Sequence, residues 1–159
     1  EQVQARIAEM AALIALGFAE LDERQRWRFF SLMGGLSVAG SDWPAAEGYL
    51  ATALTLFPHS VHFHLLLARL RAAQGDFPAA VAAVYAAHGL DPLDVAVLLQ
   101  LAVLHVEAGQ CAQLPRVLRR VQALPFDCET DYAPLLQLLE ARGLDGEAAA
   151  LRAHCEQAR

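Results

Sequence analysis

The residues best equipped for chemistry are three histidines set close together, His59, His62 and His64. A helical metal pair needs ligands three or four residues apart, so that both rings share one face. His62 and His64 are two apart and belong to different faces. His59 and His62 have a usable spacing, but His59 follows Pro58 in a loop and no nearby Cys or carboxylate completes a set. Packing or rim positions are therefore expected for all three, and no metal. His105 with Cys111 could suggest an activated thiol, yet Cys111 falls at a packing position near a helix start, where a structural thiol is the simpler reading. The "MGG" at 33–35 lies inside a helical pattern and is no phosphate loop. The acidic pairs Asp22/Glu23 and Asp127/Glu129 fall at surface turns and read as solvated. The sequence holds no GxGxxG, P-loop, HExxH or GxSxG pattern. The expectation is a non-enzymatic chain with no catalytic residue and no cofactor.

What remains must then be scaffold. The 159 residues suffice for one domain with a real core, and 56% of them are hydrophobic while 8% are aromatic. The excess is Ala and Leu, which suits close-packed helices. Net charge is −6, every basic group is an arginine, and no basic run occurs. That balance argues against nucleic acid or an anionic membrane as partner. No apolar run reaches the ~20 residues of a membrane span, so direct membrane insertion is not expected. Cys111, Cys128 and Cys155 are odd in number and lack a CxxC spacing, which suits reduced thiols in a cytoplasmic protein.

An internal period organises the chain. Pro58 and Pro92 stand 34 residues apart, and blocks 27–60, 61–94, 95–128 and 129–159 align on them. The eighth place of each block reads Gly34, Ala68, Ala102 and Leu136. The fifteenth reads Ser41, Gly75, Gly109 and Gly143. The twentieth reads Ala46, Ala80, Leu114 and Ala148, and the twenty-seventh Ala53, Ala87, Val121 and Cys155. Small residues at these places let two helices approach closely, a glycine at the fifteenth lets the first helix end with φ > 0, and the proline stops the second. "QGDFPAA" combines a turn glycine, a capping Asp76 and a first-turn Pro78. Pro115 interrupts the third block and is expected to shorten or kink its second helix.

With these residues, 27–159 resembles the tetratricopeptide repeat family, block 129–159 being a degenerate closing repeat. The resemblance implies an all-α fold, a right-handed superhelix of helix–turn–helix pairs whose first helices line a concave groove. Departures occur at the aromatic fourth place, which reads Phe30, His64, Leu98 and Tyr132, and at the eleventh, which reads Ser37, Arg71, His105 and Leu139. At the groove positions of the family the chain offers Arg28, His62, Leu65, Arg69, Leu99, Val103 and Val106. Family members that clamp a C-terminal carboxylate use Lys and Asn at the fifth and ninth places. Here those places hold Ser31/Gly35, Leu65/Arg69 and Leu99/Val103, so that clamp is missing. The groove is expected to be apolar at its middle, with Arg69 and His62 on its rim, and to hold an extended or helical apolar segment of a client polypeptide. The chain's own terminal helix is the other expected occupant. "HFHLLLARLRAAQGDFPAA" (62–80) and "SDWPAAEGYLATALTLFPHS" (41–60) further resemble the bacterial type III secretion chaperones of translocator proteins.

Ahead of the repeats, 1–26 is expected to form a separate element with a helix over 2–21. Val3, Ile7, Met10, Ile14 and Leu21 make one stripe along it. That stripe is either a cap on the first repeat or a self-association seam giving a homodimer. If the chain is instead a scaffold or assembly subunit, its convex face or this helix would carry the contacts.

Overall fold

The computed structural model describes Gly17, residues 20–123 and residues 132–157. Among the described residues the chain is all-α, with eight helices and no strand. They are α1 (Glu23–Ala39), α2 (Trp43–Leu56), α3 (Val61–Ala73), α4 (Phe77–Leu90), α5 (Val95–Glu107), α6 (Leu114–Gln122), α7 (Ala133–Ala141) and α8 (Asp145–Gln157). A 3₁₀ turn, Cys111–Gln113, leads into α6.

Four helix starts, those of α1, α2, α4 and α5, are set by aspartates. The Asp42 carboxylate accepts from the Ala45 N–H at 3.2 Å, and Asp76 does the same for Ala79 at 3.1 Å, each ahead of a first-turn proline. Asp94 caps α5 through Ala96 at 2.8 Å, and Asp22 forms a reciprocal box with Gln25 at 2.7 and 2.9 Å. Each satisfies a backbone donor that the first turn would leave open.

First helices end in one recurring turn. Ser41, Gly75, Gly109 and Gly143 have φ of 59°, 79°, 70° and 69°. The N–H at each bonds a carbonyl three residues back, and the next N–H bonds one five back: Gly75 to Ala72 and Asp76 to Arg71, both at 2.9 Å. Ser41/Asp42, Gly109/Gln110 and Gly143/Leu144 repeat that pair of bonds. This is the Schellman closure, and it requires the left-handed residue.

Packing follows the turns. Each helix from α1 to α5 packs on the next, α7 packs on α8 and α6 reaches α8, and the first helices also touch in sequence, α1 on α3, α3 on α5 and α5 on α7. Ala46, Ala53, Ala68, Ala80, Ala87 and Ala102 are fully buried, so the close approaches fall at small side chains. At Gly34 a Cβ would come within 3.1 Å of Leu50. The core has two parts. An aromatic cluster gathers Phe30 and Phe63 with Trp27, Phe29 and Phe57, the Phe57 and Phe63 rings stacking at 5.8 Å. A larger aliphatic cluster runs from Ala68 to Leu151 and encloses Tyr132. Leu67 packs against both.

Where the fourth and eleventh places depart from an apolar residue, local polar contacts compensate. His64 Nε2 lies 3.1 Å from the Pro58 carbonyl oxygen, and Arg71 pairs with Glu47 of α2 at 2.6 Å. The Gln74 amide and Arg71 together hold the Glu47 carboxyl below its ordinary pKa. His105, by contrast, is 5% exposed and its Nδ1 finds no partner.

The shortening expected at Pro115 is found, and two other expectations need correction. Helix α6 begins at Leu114, three residues later than the 34-residue period places it, because Gln110 replaces the capping aspartate and Pro115 can occupy only a first turn. The helix is shortened to nine residues. A helix over 2–21 cannot run unbroken to Leu21, since Gly17 has φ 74° and Leu21 is not helical. The stripe residues Val3, Ile7, Met10 and Ile14 lie outside the described residues. Finally, Cys155 is disulfide-bonded while Cys111 is free, so the expectation of reduced thiols throughout does not hold; Cys128 lies outside the described residues. Spacing along the chain says nothing about which thiols meet in space, and spatial approach is what a disulfide requires.

Two measurements test the disulfide and the left-handed turns. Thiol titration of denatured, unreduced protein is expected to read fewer than three thiols per chain, rising to three after reduction. Ser41→Gly removes a side chain from a left-handed position and is expected to raise stability by about 0.5–1 kcal/mol, whereas Gly75→Val is expected to cost more than that. Urea midpoints of the two variants read both signs.

Candidate partner-binding groove

The layer of first helices presents two adjoining hollows. One, of about 520 Å³, lies between α1 and α3 and is walled by Ser31, Gly35, Leu36, His62, Leu66 and Arg69, among others. The second, of about 370 Å³, continues across α3, α5 and the end of α7, with Arg69, Ala72, Ala73, Gln100, Val103 and Glu107 on its walls beside Phe77 and Arg142. Arg69 borders both. The repeat supplies this geometry: residues one turn apart on a first helix face the same way, so small residues at Gly35, Ala72 and Ala73 leave space where larger ones would fill it.

The polar groups are unevenly distributed. Ser31 Oγ and His62 Nε2 are 2.7 Å apart, and the His62 ring packs on Trp27 with centroids 5.0 Å apart. Burial lowers the His62 pKa from 6.5, and the Arg69 charge lowers it further. The imidazole is thus held neutral, suited to hydrogen bonding. Arg69 Nε donates to Gln100 Oε1 at 3.5 Å, a long bond. Arg142 Nη1 donates to the Val106 carbonyl oxygen at 3.4 Å.

His62, Arg69 and Val103 stand on the hollow walls as the sequence placed them. Arg28 is exposed on α1 but borders neither hollow. Leu65 and Leu99 are half-buried and pack against the larger core cluster, so they support the groove from beneath. Val106 must be withdrawn from the groove: it is 2% exposed and part of that core. Its place in the repeat faces solvent only while nothing packs over it, and α7 lies against α5. The floor is consequently less apolar than expected, and its centre is charged.

Sequence reasoning missed Leu36, Gln100 and Arg142. Arg142 could have been found, because it directly precedes the turn residue Gly143 at the end of a first helix. Leu36 and Gln100 lie at places that are not ligand-facing in the family, and no signal in the sequence marked them. The three histidines diverge: His62 reaches Ser31, His64 reaches the Pro58 carbonyl and His59 is exposed. No group of three His, Cys, Asp or Glu side chains that could hold a metal occurs among the described residues. No helix among them is long and apolar enough to cross a membrane.

The lowered His62 pKa has a consequence for stability. The folded state takes up this proton at lower pH than the unfolded chain does, so the unfolded state binds more protons once pH falls below about 6.5. Stability contributed by neutral His62 is therefore present at neutral pH and lost on acidification. His62→Gln is expected to flatten the fall in urea midpoint between pH 7 and pH 5 relative to the parent chain. An unchanged pH slope would remove His62 from this role. No model of a known protein family matches the chain and no curated protein resembles it significantly, so the groove must be interpreted from its own residues.

Proposed function

We propose that this chain is a non-enzymatic binding module of the tetratricopeptide type whose groove holds a segment of a client polypeptide. The observation that carries the proposal is the pair of adjoining hollows on the first-helix face. They run across three successive pairs, the first walled largely by Gly, Ala, Leu and Val and the second by a mixture of small, apolar and charged residues. A groove that crosses repeats suits an extended or helical segment better than a compact small molecule. The repeat spacing and the resemblance of 41–80 to translocator chaperones support a secretion chaperone as the specific role. Bound in the groove, the client's apolar segment would be kept from aggregating until it is handed on.

A second reading is a scaffold or assembly subunit, and one observation favours it. Tyr85 on α4 and Leu93 in the following loop are 53% and 70% exposed, away from the groove walls. Large apolar side chains left in water on a second face suit a docking contact.

The two readings separate on substitutions that spare the core. Leu65 and Leu99 are poor choices because they pack inward. Gly35 has open space where a Cβ would stand, and Ala73 is exposed, so Gly35→Trp with Ala73→Trp should fill the hollows without unfolding the chain. Affinity capture from the native host is expected to recover one apolar-rich client, lost with the filled groove and kept with Tyr85→Ser/Leu93→Ser. Partners that survive the filled groove and vanish with the second pair would establish the scaffold instead.

A further inference from the structure

Arg69 is the one residue that borders both hollows, and it is exposed. Among the described residues its guanidinium pairs with no carboxylate; its hydrogen bond is the long one to Gln100. The chain is not short of acid, having 18 Asp and Glu against 12 basic residues. Two residues further along the same helix, Arg71 is paired with Glu47 at 2.6 Å. Arg142 adds a second guanidinium to the wall, and Glu107 is the single acidic side chain on either hollow. The walls therefore carry two positive charges and one negative, a net of +1, on a chain whose net charge is −6. On both sides of Arg69 the walls include small or apolar residues, Gly35 and Leu66 in one direction and Ala72 and Val103 in the other, among polar ones.

We infer that the groove selects a client segment bearing an acidic side chain, Asp or Glu, which seats on Arg69 between two flanking stretches of small or apolar residues. This rests on the groove being a polypeptide site, and it specifies what that polypeptide must carry. A guanidinium offers a carboxylate two parallel N–H donors, a geometry that an amide or a hydroxyl on the client cannot match. Gln100 can release Arg69 at little cost, since a neutral bond at 3.5 Å is weak. The acid would fix the register of the segment, and the two hollows would take its neighbours.

Fluorescein-labelled peptide pools test the idea. Each pool has a fixed central residue, Glu, Gln or Lys, flanked on both sides by mixtures of Ala, Leu, Val and Ser. Fluorescence anisotropy is read against the full chain, Arg69→Gln and Gly35→Trp, each checked for unchanged helicity by circular dichroism. The parent chain is expected to bind the Glu pool about five- to tenfold more tightly than the Gln pool, with the Lys pool weakest. Arg69→Gln is expected to bring the Glu and Gln pools to equal affinity, with the Gln pool itself unaffected. Equal binding of Glu and Gln pools by the parent, weakened by Gly35→Trp, would overturn the acidic anchor while preserving the groove. A Glu preference that survives Arg69→Gln would also overturn it, placing the cation elsewhere. No binding of any pool by the parent chain would overturn both the anchor and the groove reading beneath it.

Discussion

Two helices of a pair can lie close only if the chain reverses within a few residues and nothing larger than a methyl group stands between them. The reversal recurs at a fixed period in this molecule, and small residues stand between the helices of the first two pairs. The left-handed residue at Ser41, Gly75, Gly109 and Gly143 closes each reversal with the same pair of backbone bonds. Buried alanines and Gly34 then set the separation of the helices that follow. Because the same turn recurs, the first helices stack on one side, and the groove is what that stacking leaves open. Each pair alone would expose its hydrophobic face, so the stack provides the burial that no single pair can.

Much of this was legible in the residues, since turn chemistry and small-residue spacing are local and periodic. Asp42 and Asp76 cap where their prolines say a helix begins, and Gly75 ends one where φ must be positive. Legibility failed where the period itself failed. Gln110 cannot cap as an aspartate does and Pro115 resets the start of α6, so its onset depends on the chain finding a different first turn. It failed also where facing is decided by a neighbouring helix. Leu65, Leu99 and Val106 occupy groove places by count, yet core contacts draw them inward to different degrees. The pairing of Cys155 and the wall position of Gln100 depend on the third dimension, which spacing does not encode.

The groove gains its character from that inward shift. With Leu65 and Leu99 turned partly into the core, the walls are left to small and polar residues beside a few apolar ones, with Arg69 at the junction. A purely apolar groove would accept any greasy segment in any register. A cation at the junction of two hollows makes register matter, because a carboxylate displaced by one residue loses its partner. Under the proposed function, Ser31 and the neutral His62 would hydrogen-bond a client backbone without competing for its charge.

Leu67 packs against both the aromatic cluster of the first pairs and the aliphatic cluster of the later ones. Contacts otherwise run between near neighbours along the stack, so cohesion passes down the molecule through a narrow waist at α3. Opening of one half need not carry the other with it, and amide exchange should divide the chain into two cooperative blocks of unequal protection. The same helix that joins those blocks carries Arg69. A polypeptide lying across both hollows would span the waist and splice the two blocks into one unit of unfolding.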